Sequence, residues 1–328
     1  MPLYVGLDVH LKTCHATAMN ERGEILKQEK FANEGLEIER FFKDIDDAKV
    51  AIEASYSWMP VYELLEGKGY EVKLAHPKET RIIARAKVKT DKVDSERLAH
   101  LLRSNLLPTS YVPPKEIREL RDLVRLRTYL VVERTRFKNK IRAELAKRGI
   151  HVFRNPFTRK GNSSLKGLGI KSVDGCLAII SALDARIREL SAEIERKAVE
   201  NEDAKLLMSI PGVGYFSALA IVAEIGDVSR FPDEEKLCSY AGLAPYVDQS
   251  GSTARYGPIT KQGSKLLRWI IFECLWAHIR FCPDSRISRF FFRLAAIKGK
   301  QVAAAAAARK LLVAIYWMSR NREEFRVN

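Results

Sequence analysis

The sequence predicts an α/β domain built on a mixed sheet, then a long helical hairpin of the coiled-coil type, then a mainly α C-terminal domain. Three observations predict it: a strand-turn-strand-turn-strand opening that gives way to alternating strands and helices, an apolar helical stripe of unusual length, and apolar helical runs through the last third. In the opening, LYVGLDVH, CHATAMN and EILKQEKF form an antiparallel meander, with Asn20 to Gly23 supplying turn chemistry. A helix from Leu36 to Phe42, a buried strand from Lys49 to Glu53, a helix from Met59 to Glu66 and a strand from Glu71 to Leu74 follow. Helices after Pro77 and Thr90 complete a first domain expected over residues 1–108.

TSYVPPK, from Thr109 to Lys115, is a linker by its prolines. Beyond it Ile117, Leu120, Val124, Val131, Phe137, Ile141 and Leu145 keep a helical stripe for about nine turns. A second stripe, Ile180, Leu183, Ile187, Leu190 and Ile194, alternates spacings of three and four, the coiled-coil pattern. Together they predict an antiparallel hairpin over residues 109–202. Its connecting segment, His151 to Gly167, is basic, aromatic and rich in Gly and Ser, so it is either a nucleic-acid contact or a solvated tip. From residue 203 to 328 the chain is mostly helical, with a polar interruption from Pro245 to Gly263. LLMSIPGVGYFSALAIVAEIG is helix-hairpin-helix-like: the Pro211 to Gly214 turn lets the backbone bend tightly and point amides at a phosphate near a helix N-terminus. An ordinary helical hairpin can use the same two glycines.

The 328 residues suffice for two or three domains, and 46% hydrophobic with 30% charged residues is ordinary globular composition. Lys and Arg number 56 against 41 Asp and Glu, a net charge of +15 that favours a polyanionic partner, most simply nucleic acid. The five cysteines form no Cys-x-x-Cys pair, so neither a disulfide framework nor a zinc ribbon is indicated. Cys274, His278 and Cys282 repeat at helical spacing in an apolar segment and read as core packing. The N-terminus meets charge too soon for a signal peptide, and the alanine run from Val302 to Ala308 is closed by Arg309 and Lys310 too early to span a bilayer. A cytoplasmic protein without a membrane partner is expected.

The chemistry-bearing residues are carboxylates. In VKTDKVDSERLAHLLR, Asp91 and Asp94 fall in the first turn of a helix capped by Thr90 or Asp91, where acidic groups complement the helix dipole. On this stretch alone capping explains them. Both also lie on one helix face, about 5–6 Å apart at Cβ, close enough to share a cation if other carboxylates converge. Asp8 ends an apolar strand between Leu7 and Val9, and Glu53 closes the buried VAIE. A carboxylate at the end of a core strand costs free energy unless it is paired or binds metal. The four supply enough oxygen ligands to hold Mg²⁺, with Mn²⁺ a substitute, for in-line phosphoryl transfer.

YVGLDVH, AIEAS, KTDKVDSERLA, IPGVG and AGLAPYVDQSGSTARYGPITKQGSKLLR resemble, in order and over nearly the whole chain, the DEDD recombinases of the IS110 family of insertion sequences. The resemblance implies a ribonuclease H-like N-terminal domain joined to a helical C-terminal transposase domain. It implies that Asp8, Glu53, Asp91 and Asp94 are the family's four carboxylates and that a serine in the C-terminal domain is the nucleophile. It also implies two partners, DNA and a structured, guide-type non-coding RNA from the element.

The serine lies in VDQSGSTARYG, a polar loop by composition, followed by Arg255 and Lys261. The family pattern places it at Ser250, before the glycine. Many members carry Ser-Ser-Gly where this chain has Gln249-Ser250-Gly251, which leaves Ser252 as the alternative. The long hairpin, and a serine remote in sequence from the carboxylates, point to a homo-oligomer, a dimer or a dimer of dimers. Three rival functions make different demands of the sequence. An actin-like or sugar-kinase ATPase would need a second phosphate hairpin and a glycine-rich adenosine site, neither of which the sequence contains. A resolvase-like nuclease would use the carboxylates with water and give Ser250 no role. An inactivated nucleic-acid binder would have no reason to keep all four acids.

Overall fold

The computed structural model describes residues 2–83, 90–151, 155–250 and 253–327, and the chain divides into two compact units, one up to Val112 and one from Pro113. The first unit contains strands β1 (Leu3–Val9), β2 (Thr13–Met19), β3 (Ile25–Ala32), β4 (Ala48–Glu53), β5 (Glu71–Ala75) and β6 (Thr109–Ser110). Its helices are α1 (Gly35–Phe42), α2 (Trp58–Gly67), α3 (Pro77–Ile83) and α4 (Asp91–Arg103). The sheet order is β3-β2-β1-β4-β5-β6. β1, β2 and β3 pair antiparallel as the expected meander, β4 and β5 add in parallel to β1, and β6 returns antiparallel. β1 is therefore a central strand with apolar neighbours on both sides, which is why Val5, Leu7 and Val9 are fully buried.

One sheet face carries the core of Phe31, Phe41, Val50, Ile52 and Leu65, while α4 lies against the other. Gly6 determines how close α4 comes. A Cβ at Gly6 would meet the Ser95 carbonyl oxygen at 2.0 Å and the Ala99 nitrogen at 2.6 Å, so only a residue without a side chain lets the helix backbone reach the strand. Ser95 then fixes the register: its buried hydroxyl lies 2.8 Å from Thr17 Oγ1 and 3.1 Å from His15 Nδ1.

The second unit contains α5 (Lys115–Ala146), α6 (Arg159–Lys166), α7 (Lys171–Glu200), α8 (Glu202–Met208), α9 (Tyr215–Ile225), α10 (Glu234–Tyr240), α11 (Lys265–Phe281), α12 (Arg286–Lys298) and α13 (Lys300–Asn321). A strand pair, β7 (Pro245–Ser250) and β8 (Thr253–Ile259), completes it. α5 and α7 form the predicted hairpin, roughly 48 Å long at 1.5 Å per residue. Its contacts run antiparallel: Arg127 Nε donates to Ser191 Oγ at 3.3 Å, and seven residues further on Arg134 Nη1 donates to Asp184 at 2.8 Å. The connecting segment is more than a solvated turn. Thr158 caps α6, Leu165 is buried among Ile141, Leu145, Val173 and Ile180, and Arg142 stacks on Phe157. Residues 152–154 of that segment lie outside the described residues.

At its other end the hairpin packs on α9, whose Glu224 is fully buried and takes both guanidinium donors of Arg125, at 2.8 and 3.1 Å, and the Ser264 hydroxyl at 2.8 Å. Gly212, in the turn between α8 and α9, has φ +96°, and a Cβ there would sit 2.7 Å from the His278 backbone nitrogen. Close packing on α11 therefore requires this glycine. His278 is itself buried, with Nδ1 3.0 Å from the Pro211 carbonyl and Nε2 2.8 Å from Ser285 Oγ, a core histidine whose pKa burial pushes down. α13 is long and apolar enough to cross a membrane, yet Ala303, Ala307, Leu311 and Ile315 are buried in the core of this unit. The segment expected as a polar loop is instead an antiparallel strand pair, with Ser250 opposite Thr253. Two short runs containing Tyr246, Val247, Thr253 and Tyr256 around a Gly-Ser dipeptide carry enough β-branched and aromatic character to pair.

Candidate active site

Asp8 is the next-to-last residue of β1, and the strand's alternation would send its side chain to the face that α4 covers. Its side chain is 7% exposed. Burial pushes its pKa up to about 6; His10 pulls against this, while Glu53, Asp91 and Asp94 each add to the rise. The other three predicted carboxylates are therefore each within electrostatic reach of Asp8, at the end of the first unit's sheet where β1, β4 and the start of α4 meet.

The closest grouping includes a residue the sequence reading left out. His10 Nε2 lies 3.3 Å from Asp8 Oδ2 and 3.4 Å from Asp91 Oδ1, and the ligand atoms of Asp8, His10 and Asp91 lie within 4.8 Å of one another. The available signal was spacing: in an extended chain residues two apart share a face, so His10 follows Asp8 to the same side. Asp91 is also reached by Lys30 Nζ at 3.5 Å. Desolvation pushes Asp91 up, but His10 and Lys30 outweigh it and hold the carboxyl below its ordinary value. Asp94, one turn further, pairs with Arg97 at 3.2 Å. Thr90 is the helix cap, its hydroxyl accepting from the Val93 amide at 3.3 Å, so Asp91 and Asp94 are free of that task.

A buried carboxylate, two more in the adjacent helix turn and Glu53 at the end of β4 make an oxygen-rich donor set suited to a hard divalent cation. The fit is supported by the high pKa of Asp8: a cation there would relieve a charge that burial and three like neighbours now disfavour. Ser250 closes β7 in the second unit, and Ser252 lies outside the described residues.

An α/β unit with a carboxylate cluster at the end of its central strand, joined to a basic helical unit, is the make-up of a phosphoryl-transfer enzyme acting on nucleic acid. Comparison with known proteins makes this specific. The DEDD transposase model of IS110 elements matches residues 5–148, and the transposase model of the IS116/IS110/IS902 family matches residues 204–290, together well over half of the chain. A putative transposase of Sinorhizobium fredii, y4qE, is 28% identical over 85% of this chain and 72% of its own length. The transposase of insertion sequence element IS1111A from Coxiella burnetii is 26% identical over 81% of this chain and 76% of its own. A probable family 20 transposase of Pseudomonas aeruginosa is 27% identical over 97% of both chains. The chain belongs to the IS110 family of insertion-sequence transposases: it is a DNA recombinase.

Proposed function

We propose that the chain cleaves and rejoins DNA at specific sites through a phosphoserine intermediate, with Mg²⁺ held by Asp8, Glu53, Asp91 and Asp94. The observation that carries the metal half is Asp8, a buried carboxylate with a pKa raised to about 6 among three further acids. Mg²⁺ bound there supplies Lewis-acid stabilisation of charge on a phosphoryl group. The protein's own residues do the rest. Asp8 sheds its proton near neutral pH and becomes the ligand with most to gain from a cation. Thr90 and Gly6 hold the first turn of α4 against β1, which positions Asp91 and Asp94. The mixed sheet with its acidic central strand supports the ribonuclease H-like reading.

At the serine, Oγ of Ser250 attacks phosphorus: an Oγ–P bond forms, the bond from phosphorus to a deoxyribose oxygen breaks, the serine proton passes to solvent and the leaving oxygen takes one up. The reverse attack by a deoxyribose hydroxyl restores a phosphodiester and frees the serine, so no outside energy source is needed. The net charge of +15 supports a nucleic-acid-bound enzyme. We extend the family reading to a guide-type non-coding RNA from the element and to a homo-oligomer, a dimer or a dimer of dimers.

The test is a covalent protein–DNA adduct, assayed with Mg²⁺, the element's flanking RNA and candidate DNA. Ser250→Ala should abolish adduct and strand exchange while leaving DNA binding intact, and Ser252→Ala should reduce them only modestly. Loss confined to Ser252→Ala moves the nucleophile by two positions. Cleavage that persists in both variants and in the double variant sinks the serine mechanism in favour of hydrolysis.

A further inference from the structure

The second unit holds a groove of about 880 Å³ between α11, α13 and the end of β8. Its floor is aromatic. Trp269, Phe272 and Trp276 recur at spacings of three and four along α11 and so share one face of that helix. Trp269 and Trp276 are each 43% exposed, and Val302 on the facing helix is 52% exposed. An indole left half in water costs burial free energy that a core position would have recovered, so two of them facing one groove need a reason.

The rim is basic. Lys261, Lys265, Arg268 and Arg309 line the groove, and among the described residues no acidic one does. Arg309 has Glu235 at 3.5 Å, and among the described residues neither Lys261 nor Lys265 has an acidic partner. One of these cations is held in place, and the backbone that carries another is fixed. Arg268 Nη1 donates to the Ala241 carbonyl at 3.0 Å. Lys261 sits in the left-handed region at φ +54°, a conformation disfavoured for a side-chain-bearing residue, with its amide donating to the Gly242 carbonyl at 3.1 Å. Such strain concentrates where a side chain is held for function. Ala306 and Arg309 also line a neighbouring groove of about 750 Å³ that carries Arg286, Arg293 and Lys310, so the cationic track continues past the aromatic floor.

We propose that this groove binds an unpaired stretch of the DNA strand, its bases stacked on Trp269 and Trp276 and its phosphates along Lys261, Lys265 and Arg309. Aromatic faces with cations beside them are how proteins hold single strands, because every base offers a π-face and every nucleotide a phosphate. The two indoles are two helical turns apart, about 10.5 Å, the rise of about three bases stacked at 3.4 Å. A duplex keeps its base faces covered and cannot use the floor. A second copy of a chain of net charge +15 would bring like charge to a basic rim, whereas a polyanion complements it. The proposal rests on the chain's being a DNA recombinase, whose cleavage leaves strand ends that are free to leave the duplex, and on neither the serine nor the carboxylates.

The test uses the full-length protein in EDTA, so that no chemistry intervenes, with a fluorescein-labelled oligo-dT 15-mer read by anisotropy and by quenching of tryptophan emission. Trp269→Ala and Trp276→Ala should each weaken oligo-dT binding by roughly 5- to 100-fold, Trp→Phe at either position should restore most of the affinity, and binding of a 15-base-pair duplex should change less than twofold. Since an alanine at a half-buried site can loosen the unit, Lys261→Gln with Lys265→Gln, both at the solvent edge, provides a second arm. It should flatten the salt dependence of oligo-dT affinity by roughly 0.7 per lost phosphate contact. Oligo-dT affinity unchanged in the Trp269→Ala, Trp276→Ala and lysine variants, with no quenching of the wild type's tryptophan emission, overturns the proposal. Equal losses for duplex and single strand overturn it too, and so does a loss confined to oligo-rU, which would make the groove an RNA site. A Trp269→Ala protein that binds oligo-dT normally but loses mass in sedimentation would make the face a contact between copies.

Discussion

Replacing Asp8 by Asn removes a charge that the folded protein disfavours, so in the absence of metal the variant should be the more stable protein. The carboxyl's pKa rises from 3.8 to about 6 on folding. That is about two pKa units, worth about 3 kcal/mol at 1.36 kcal/mol per unit. With the side chain only 7% exposed, solvent screening takes little of it away. The sign follows from proton binding. Between about pH 4 and pH 6 the folded state holds a proton that the unfolded state has released, so this group's contribution to stability is greatest below pH 4 and has been lost above pH 6. Asn imitates the protonated acid at every pH. Asp8→Asn should therefore add up to about 3 kcal/mol above pH 7 and nothing below pH 4, and saturating Mg²⁺ should erase the difference by stabilising only the wild type. Hydrogen exchange of β1 peptides against urea, in EDTA at pH 7.5 and at pH 4, is the suitable assay because a chain of two units need not unfold in one transition. An Asp8→Asn protein less stable than wild type at pH 7.5 without metal would refute the reasoning. It would mean that the contact with His10 stabilises the strand end more than burial destabilises it.

Asp91→Asn and Asp94→Asn should each cut Mg²⁺-dependent cleavage at least about 100-fold, more than the loss of a ligand's supporting group. Thermal stability should move by less than about 0.5 kcal/mol, since Thr90 keeps the cap; a gel-based cleavage assay beside a melting curve checks both. Gly6→Ala should destabilise the first unit by about 3 kcal/mol or more, the upper end for overpacking, because the added carbon meets backbone at 2.0 Å. Its signature is faster exchange in α4 peptides, and an unchanged α4 would show that the helix tolerates the shift. Arg125→Ala should cost the second unit about 2 kcal/mol, less than for a fully buried pair because Arg125 is itself half exposed and the buried Glu224 keeps Ser264. Urea unfolding followed by tryptophan fluorescence reads it, and a change below about 1 kcal/mol would mean that water reaches Glu224.

Much of the first unit is legible because its signals are local. The turn at Asn20 to Gly23, the alternation in β2 and the apolar β1 each follow from a few consecutive residues, and the strand order then places Asp8 on the central strand. The electrostatics of the site are less local. That Asp91 is paired by Lys30 and His10, and that Asp8 becomes a weak acid, depend on how near α4 comes to the sheet, which in turn depends on Gly6. A lone glycine in a strand reads equally as a bulge, a kink or a close approach. The β7–β8 pair was hidden for another reason: Asp248, Gln249, Ser250 and Ser252 have low intrinsic preference for strands, and the cross-strand partner that compensates is what composition cannot express. In the Pro211 to Gly214 turn the sequence signalled tight geometry, but not whether the space belonged to a phosphate or, as at Gly212, to the backbone of α11.

The two ends of the α5–α7 hairpin are packed independently. The far end closes around Ile141, Leu145, Leu165, Val173, Leu177 and Ile180, a cluster separate from the one that Val124, Ile194 and Ala198 join near α9. Between them the arms are clipped by Arg127 to Ser191 and Arg134 to Asp184, seven residues apart on each arm. In engineering terms this is a stiff boom with a self-contained head, and its length is an adjustable dimension. Removing one heptad from each arm, residues 127–133 and 185–191, gives up the Arg127 to Ser191 clip but keeps Arg134 to Asp184 and both clusters, and shortens the boom by about 10.5 Å with the head facing the same way. Removing three or four residues instead swings the head around the boom. Paired deletions of this kind turn the hairpin into a ruler for the distance and angle at which the recombinase holds whatever its head touches.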